Sequence, residues 1–87
     1  MVILVDDPIW PAHGMLWAHL VSDHSLEELH SFARRTKISP RAFDRDHYDV
    51  PAREVPRLIE AGAQQVAGKE LVRRLIASGI RVRARDR

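Results

Sequence analysis

The sequence predicts an α/β fold, a compact domain of two or three layers with a small, partly parallel sheet of three or four strands and three helices. Three observations lead there. The apolar run Val2–Val5 stops at Asp6-Asp7-Pro8. Two later segments carry apolar residues at helical spacing, and Gly or Pro punctuates the chain between elements. At this length, residues 1–87 form a single domain that buries only about 60–65% of the surface of its unfolded chain. Cysteine is absent, so neither a disulfide nor a thiolate-held zinc supports the core. No apolar run is long enough to span a membrane, and the acidic start is unlike a secretory signal. A cytoplasmic protein without membrane partners is the expectation.

Val2–Val5 reads as a buried strand in a parallel setting. Its carboxyl end, where α/β folds bind ligands, falls at Asp6. Two prolines and a glycine keep Pro8–Gly14 from forming a helix or a central strand. Met15–Val21 reads as a strand with Leu16, Ala18 and Leu20 on one side and Trp17, His19 and Val21 on the other. Ser25 and Glu28 make a capping box for a helix that buries Leu26, Leu29, Phe32 and Ala33 and ends near Thr36 or Lys37. A short strand is expected around Ala42 and Phe43, followed by a polar run from Asp44 to Asp49. A second helix starts near Pro56, with or without a preceding turn, and stops at Gly62. Ala63–Val66 reads as a strand. The last helix begins at Ala67 or Gly68, carries Leu71, Val72, Leu75 and Ile76, and is capped by Gly79. Residues 80–87 read as a basic edge strand over Ile80–Ala84 or a flexible basic tail.

Chemistry concentrates in two places. Asp6–Asp23 holds three Asp, two His and both tryptophans without a Lys or Arg, and Asp44–Pro51 adds His47, Tyr48 and Asp49. Charge is graded along the chain. Residues 1–33 carry five acidic and no basic residues, whereas residues 69–87 carry seven basic and two acidic ones. Such a gradient can orient an anionic partner.

Several segments together resemble a family of small bacterial and phage proteins classified only as a domain of unknown function. They are Asp6 to Gly14, Trp17-Ala18-His19-Leu20-Val21-Ser22-Asp23, the Ser25 helix, Asp46-His47-Tyr48-Asp49-Val50-Pro51, Gly62-Ala63 and Lys69 to Leu75. The resemblance covers nearly the whole chain and implies no particular reaction. Departures are Ala67-Gly68, where the family tends to place serines, and Pro56 within the preceding helix.

Three functional readings follow. In the first, the protein is a divalent-metal-dependent phosphoester hydrolase or nuclease-like enzyme. Asp6, His19, Asp23, His47 and Asp49 supply ligands or bases, and His13 supplies an acid. His47 and Asp49 share a face only if their segment is extended. A metal-free variant uses a His–Asp pair as general base, with Ser22 or Tyr48 providing a hydroxyl. The second reading is a nucleotide or nucleic-acid binding module, with Trp10, Trp17 or Tyr48 stacking a base. Its phosphate partners come from one basic cluster at Arg34–Arg45 or another containing Arg73 and Arg74. The third is a non-catalytic interaction protein, for instance a homodimer paired through Ile80–Ala84.

Overall fold

The strand expected at the amino-terminal end is an interior strand of the sheet, beside the central one. In the computed structural model of the chain, residues 2–81 are described. Strand β1 (Ile3–Val5) is buried throughout. It pairs antiparallel with the long strand β3 (Met15–Ser22) and parallel with the two-residue β6 (Gln64–Gln65). The sheet order is β4-β5-β3-β1-β6, with β4 at Phe43–Asp44 and β5 at His47–Pro51. The remaining strand β2 (Trp10–Ala12) pairs with the first half of β3. Thus β1 and β2 lie in tandem along one side of β3, with β5 on the other.

Among the described residues six strands replace the three or four expected. Those not foreseen are β2, whose Pro11 suits a sheet edge, and β5, whose alternation His-Tyr-Asp-Val-Pro has too many polar residues to look like a strand. Within β5, Tyr48 and Val50 point into the core and His47 and Asp49 away from it. The parallel partnership of β1 is confined to β6, so the sheet is mixed.

Helix α1 (Leu26–Arg35) and α2 (Val55–Glu60) cover one face, meeting Ile3, Val5, Ala18, Leu20, Tyr48 and Val50 through Leu29, Phe32, Leu58 and their neighbours. Among the described residues the other face receives only α3 (Gly68–Ser78), whose Leu71 and Leu75 pack on Leu4 and Val21. Three layers result. Because α3 covers only that part of its face, the surface beside it, carrying Trp17, His19, His47 and Asp49, stays accessible.

Local signals account for the helix ends. Ser25 Oγ accepts the Glu28 N–H at 3.0 Å, as a cap should. The reciprocal half of the box is rearranged. Glu28 accepts the Ser22 hydroxyl at 2.5 Å, and Ser22 Oγ accepts the Ser25 N–H at 3.1 Å. Ser22 is therefore buried on the α1 side of the sheet, facing away from His19, and cannot serve it as a nucleophile. The turn at Ala52–Glu54 lets the chain enter α2 with Pro56 in its first turn. No side chain caps α3 at Ala67, and Gly79 ends it in the left-handed conformation. Ile80 and Arg81 are neither helix nor strand; the expected strand from Val82 onward lies outside the described residues. Among the described residues no helix is long and apolar enough to cross a membrane.

Candidate metal centre

The site is built by the register of β3 against β5, in which His19 lies opposite Asp49. Because β5 is extended, His47 and Asp49 share a face two residues apart, and that face is the one His19 occupies. One ligand atom from each of His19, His47 and Asp49 lies within 4.8 Å of the other two. The imidazoles stand edge to face, with ring centres 5.0 Å apart, and His47 Nε2 is 3.1 Å from Asp49 Oδ1. All three side chains are half-buried, so the cluster is both shielded and reachable.

Behind each histidine stands a buried carboxylate. The break between β1 and β2, forced by Asp7-Pro8, leaves the His19 N–H without a strand partner. Asp6 Oδ1 accepts that N–H at 2.6 Å, and Asp6 Oδ2 pairs with His19 Nδ1 at 2.8 Å. Asp46, fully buried at 0% exposure, pairs through Oδ1 with His47 Nδ1 at 2.7 Å. It is aimed by the tight turn between β4 and β5, where Arg45 takes a positive φ of 61° and the Asp46 N–H donates to Asp44 O at 2.6 Å. With Nδ1 of each ring held, Nε2 is the nitrogen left for a ligand.

Electrostatics follow the same geometry. The hydrogen bond to Asp6 raises the His19 pKa above its ordinary value, against burial, which favours the neutral ring. The charges of Asp6 and Asp49 reinforce the rise, and that of Arg81 opposes it. Arg81 Nη1 also approaches the second oxygen of Asp46 at 3.8 Å.

The centre opens into a groove of about 1190 Å³ between the β2–β3 hairpin, the β4 region and α3. Trp10 and Trp17 line it, opposite one another across the hairpin, and so do Arg41, Lys69 and Arg81. His13 lies on it at the hairpin tip, where His13 and Gly14 both adopt positive φ.

Other residues singled out from sequence lie elsewhere. Asp23 is at the far end of β3, accepting the Val2 N–H at 2.8 Å and the Arg74 guanidinium at 2.6 Å. Tyr48 points into the opposite face and bonds His30 Nδ1 at 2.6 Å. Arg73 pairs with Glu70 along α3. Asp6 supports His19 instead of joining the convergent trio. Of the groove cations, Arg41 falls within the basic cluster Arg34–Arg45 expected from sequence and Arg81 within the one containing Arg73 and Arg74, whereas sequence does not single out Lys69 or the buried Asp46. Only the adjacency Asp46-His47 hinted at the last of them.

A three-layer α/β domain with a two-histidine, one-carboxylate cluster is the class that fold and site define. The chain belongs to the DUF4031 family, described as a protein of unknown function, whose model matches residues 3–78. This agrees with the resemblance carried by the His- and Trp-rich segments. No curated protein and no solved structure matches the chain.

Proposed function

We propose that this protein is a divalent-metal-dependent phosphoester hydrolase whose ion is held by His19, His47 and Asp49. One observation carries the reading. Two histidines on neighbouring strands each have Nδ1 taken by a buried carboxylate, and their rings converge with a third carboxylate. Metal-ligating histidines are oriented in this way, because the outer carboxylate fixes the tautomer and strengthens the donor nitrogen. Two nitrogens and one oxygen suit zinc and its neighbours and leave a coordination position for water or substrate.

A bound ion supplies Lewis acidity toward a phosphoryl oxygen and a water of lowered pKa. The chain's own groups do the rest. Arg41, Lys69 and Arg81 draw an anionic group into the groove, and His13 stands at its rim to protonate a leaving oxygen. The same donor set serves iron in oxygen-activating enzymes. The three groove cations favour hydrolysis of an anionic ester, which needs no reductant.

The test is hydrolysis of bis(p-nitrophenyl) phosphate by protein stripped of metal and then reloaded with Zn²⁺, Mn²⁺ or Fe²⁺. Activity should depend on the added ion and vanish in His19→Ala and Asp49→Asn. A second reading, favoured by the two hydrogen bonds that join His19 to the Asp6 carboxylate, makes that pair a metal-free general base. Activity that persists in chelator but is lost in Asp6→Asn would select it and reject the metal.

A further inference from the structure

The groove is too large and too mixed in character for a simple phosphate ester. At about 1190 Å³ it exceeds the roughly 300–1,000 Å³ of pockets that hold one drug-sized ligand. One wall is aromatic. Trp10 keeps 57% of its surface exposed at the edge of the centre, with its ring 5.1 Å from that of His19. Trp17 faces it across the hairpin and is held by a 2.9 Å hydrogen bond from its indole Nε1 to Ala12 O. An indole left this exposed beside a cluster of ligating side chains is a platform already in place, and ordering it costs little on binding.

The other wall is charged. Arg41, Lys69 and Arg81 reach the groove from the turn before β4, the start of α3 and the segment after it. Four carboxylates, Asp6, Asp7, Asp44 and Asp49, also line it, so a bound divalent ion turns the balance positive. A ligand matching both walls carries several phosphates and at least one flat ring free to stack.

We propose that the groove binds single-stranded nucleic acid, with Trp10 as the stacking platform for one base and Lys69 and Arg41 as partners of the flanking phosphates. This names the substrate of the centre described above and rests on that reading. A duplex fits less well, because its internal bases are stacked on one another and only its terminal pairs present a free face to Trp10.

The experiment is fluorescence anisotropy of a short fluorescein-labelled oligothymidylate and of a blunt duplex of equal length. Both are titrated with the full chain in Mn²⁺ and in chelator, alongside Mn²⁺ calorimetry. The single strand should bind more tightly than the duplex. Trp10→Ala should weaken it about tenfold or more while Trp10→Phe restores most of the affinity. Lys69→Ala should flatten the salt dependence. Trp10 lies outside the core, so its removal leaves the fold to report on the groove. Equal affinity for duplex and single strand, no binding of either, or indifference to Trp10→Ala would overturn the proposal. The two readings fail separately. Binding of Mn²⁺ without Trp10-dependent strand binding leaves the metal centre and removes the nucleic-acid site. Strand binding that depends on Trp10 in a protein that takes up no metal does the reverse.

Discussion

Replacing Asp46 by Asn probes the support behind the centre without touching a ligand. The carboxylate is fully buried and lies 2.7 Å from His47 Nδ1. Asn keeps the shape and an acceptor oxygen for the Nδ1 proton but removes the negative charge behind the ring. Outer carboxylates of this kind typically contribute about 10–100-fold to metal affinity. The expected loss in Zn²⁺ affinity is therefore about tenfold or more, equivalent to about 1.4 kcal/mol or more. The folded state without metal should lose about 1 kcal/mol as a charge-assisted bond becomes a neutral one. Calorimetric titration gives the first quantity and urea unfolding in chelator the second. Asp7→Asn is the control, since Asp7 sits at the rim and bonds Gln65 at 3.1 Å. If Asp46→Asn folds and binds zinc within twofold of the parent, the idea that Asp46 tunes His47 fails.

Three further outcomes are expected. Ser22→Ala orphans the N–H groups of His24 and Ser25 as well as Glu28, and should cost about 1–3 kcal/mol in urea unfolding while metal affinity is unchanged. Loss of zinc binding or catalysis in a folded Ser22→Ala protein would contradict its assignment to the helix start. Tyr48→Phe should cost about 1 kcal/mol through the lost bond to His30 and leave hydrolysis untouched. A fall in the rate of the folded variant would place Tyr48 in the chemistry after all. For pH, the folded-state pKa of His19 is raised from 6.5. Its contribution to the metal-free fold is complete below about pH 6.5 and disappears as pH rises through the folded value. Zinc requires the neutral ring, so its affinity should climb over that same interval. Unfolding and calorimetry across pH, with Asp6→Asn as the comparison, check both signs.

The elements legible in the sequence were those whose signal is local. The β1 run, the alternation in β3, the Ser25 cap and the Gly79 stop each depend on a few adjacent residues, and each formed where expected. β2 and β5 left no such trace: β2 is three residues long and carries Pro11, β5 is rich in polar residues, and both exist because β3 satisfies them across the sheet. The pairing of His19 with Asp49 was beyond reach for the same reason, since register is a property of two strands and not of either. Asp23 belongs to the His- and Asp-rich stretch Asp6–Asp23 and lies four residues after His19. On a strand that spacing is a distance of about 13 Å, and Asp23 answers instead to Val2 and Arg74. Asp46 was overlooked because a polar residue in a turn looks solvated, and only the fold buries it.

The most direct test of the account is an anomalous difference map at the zinc edge from crystals of protein equilibrated with Zn²⁺. A single strong peak is expected about 2.0–2.2 Å from Nε2 of His19, Nε2 of His47 and a carboxylate oxygen of Asp49. A map without a peak there, or with zinc held by other side chains while these three keep their present contacts, would contradict it.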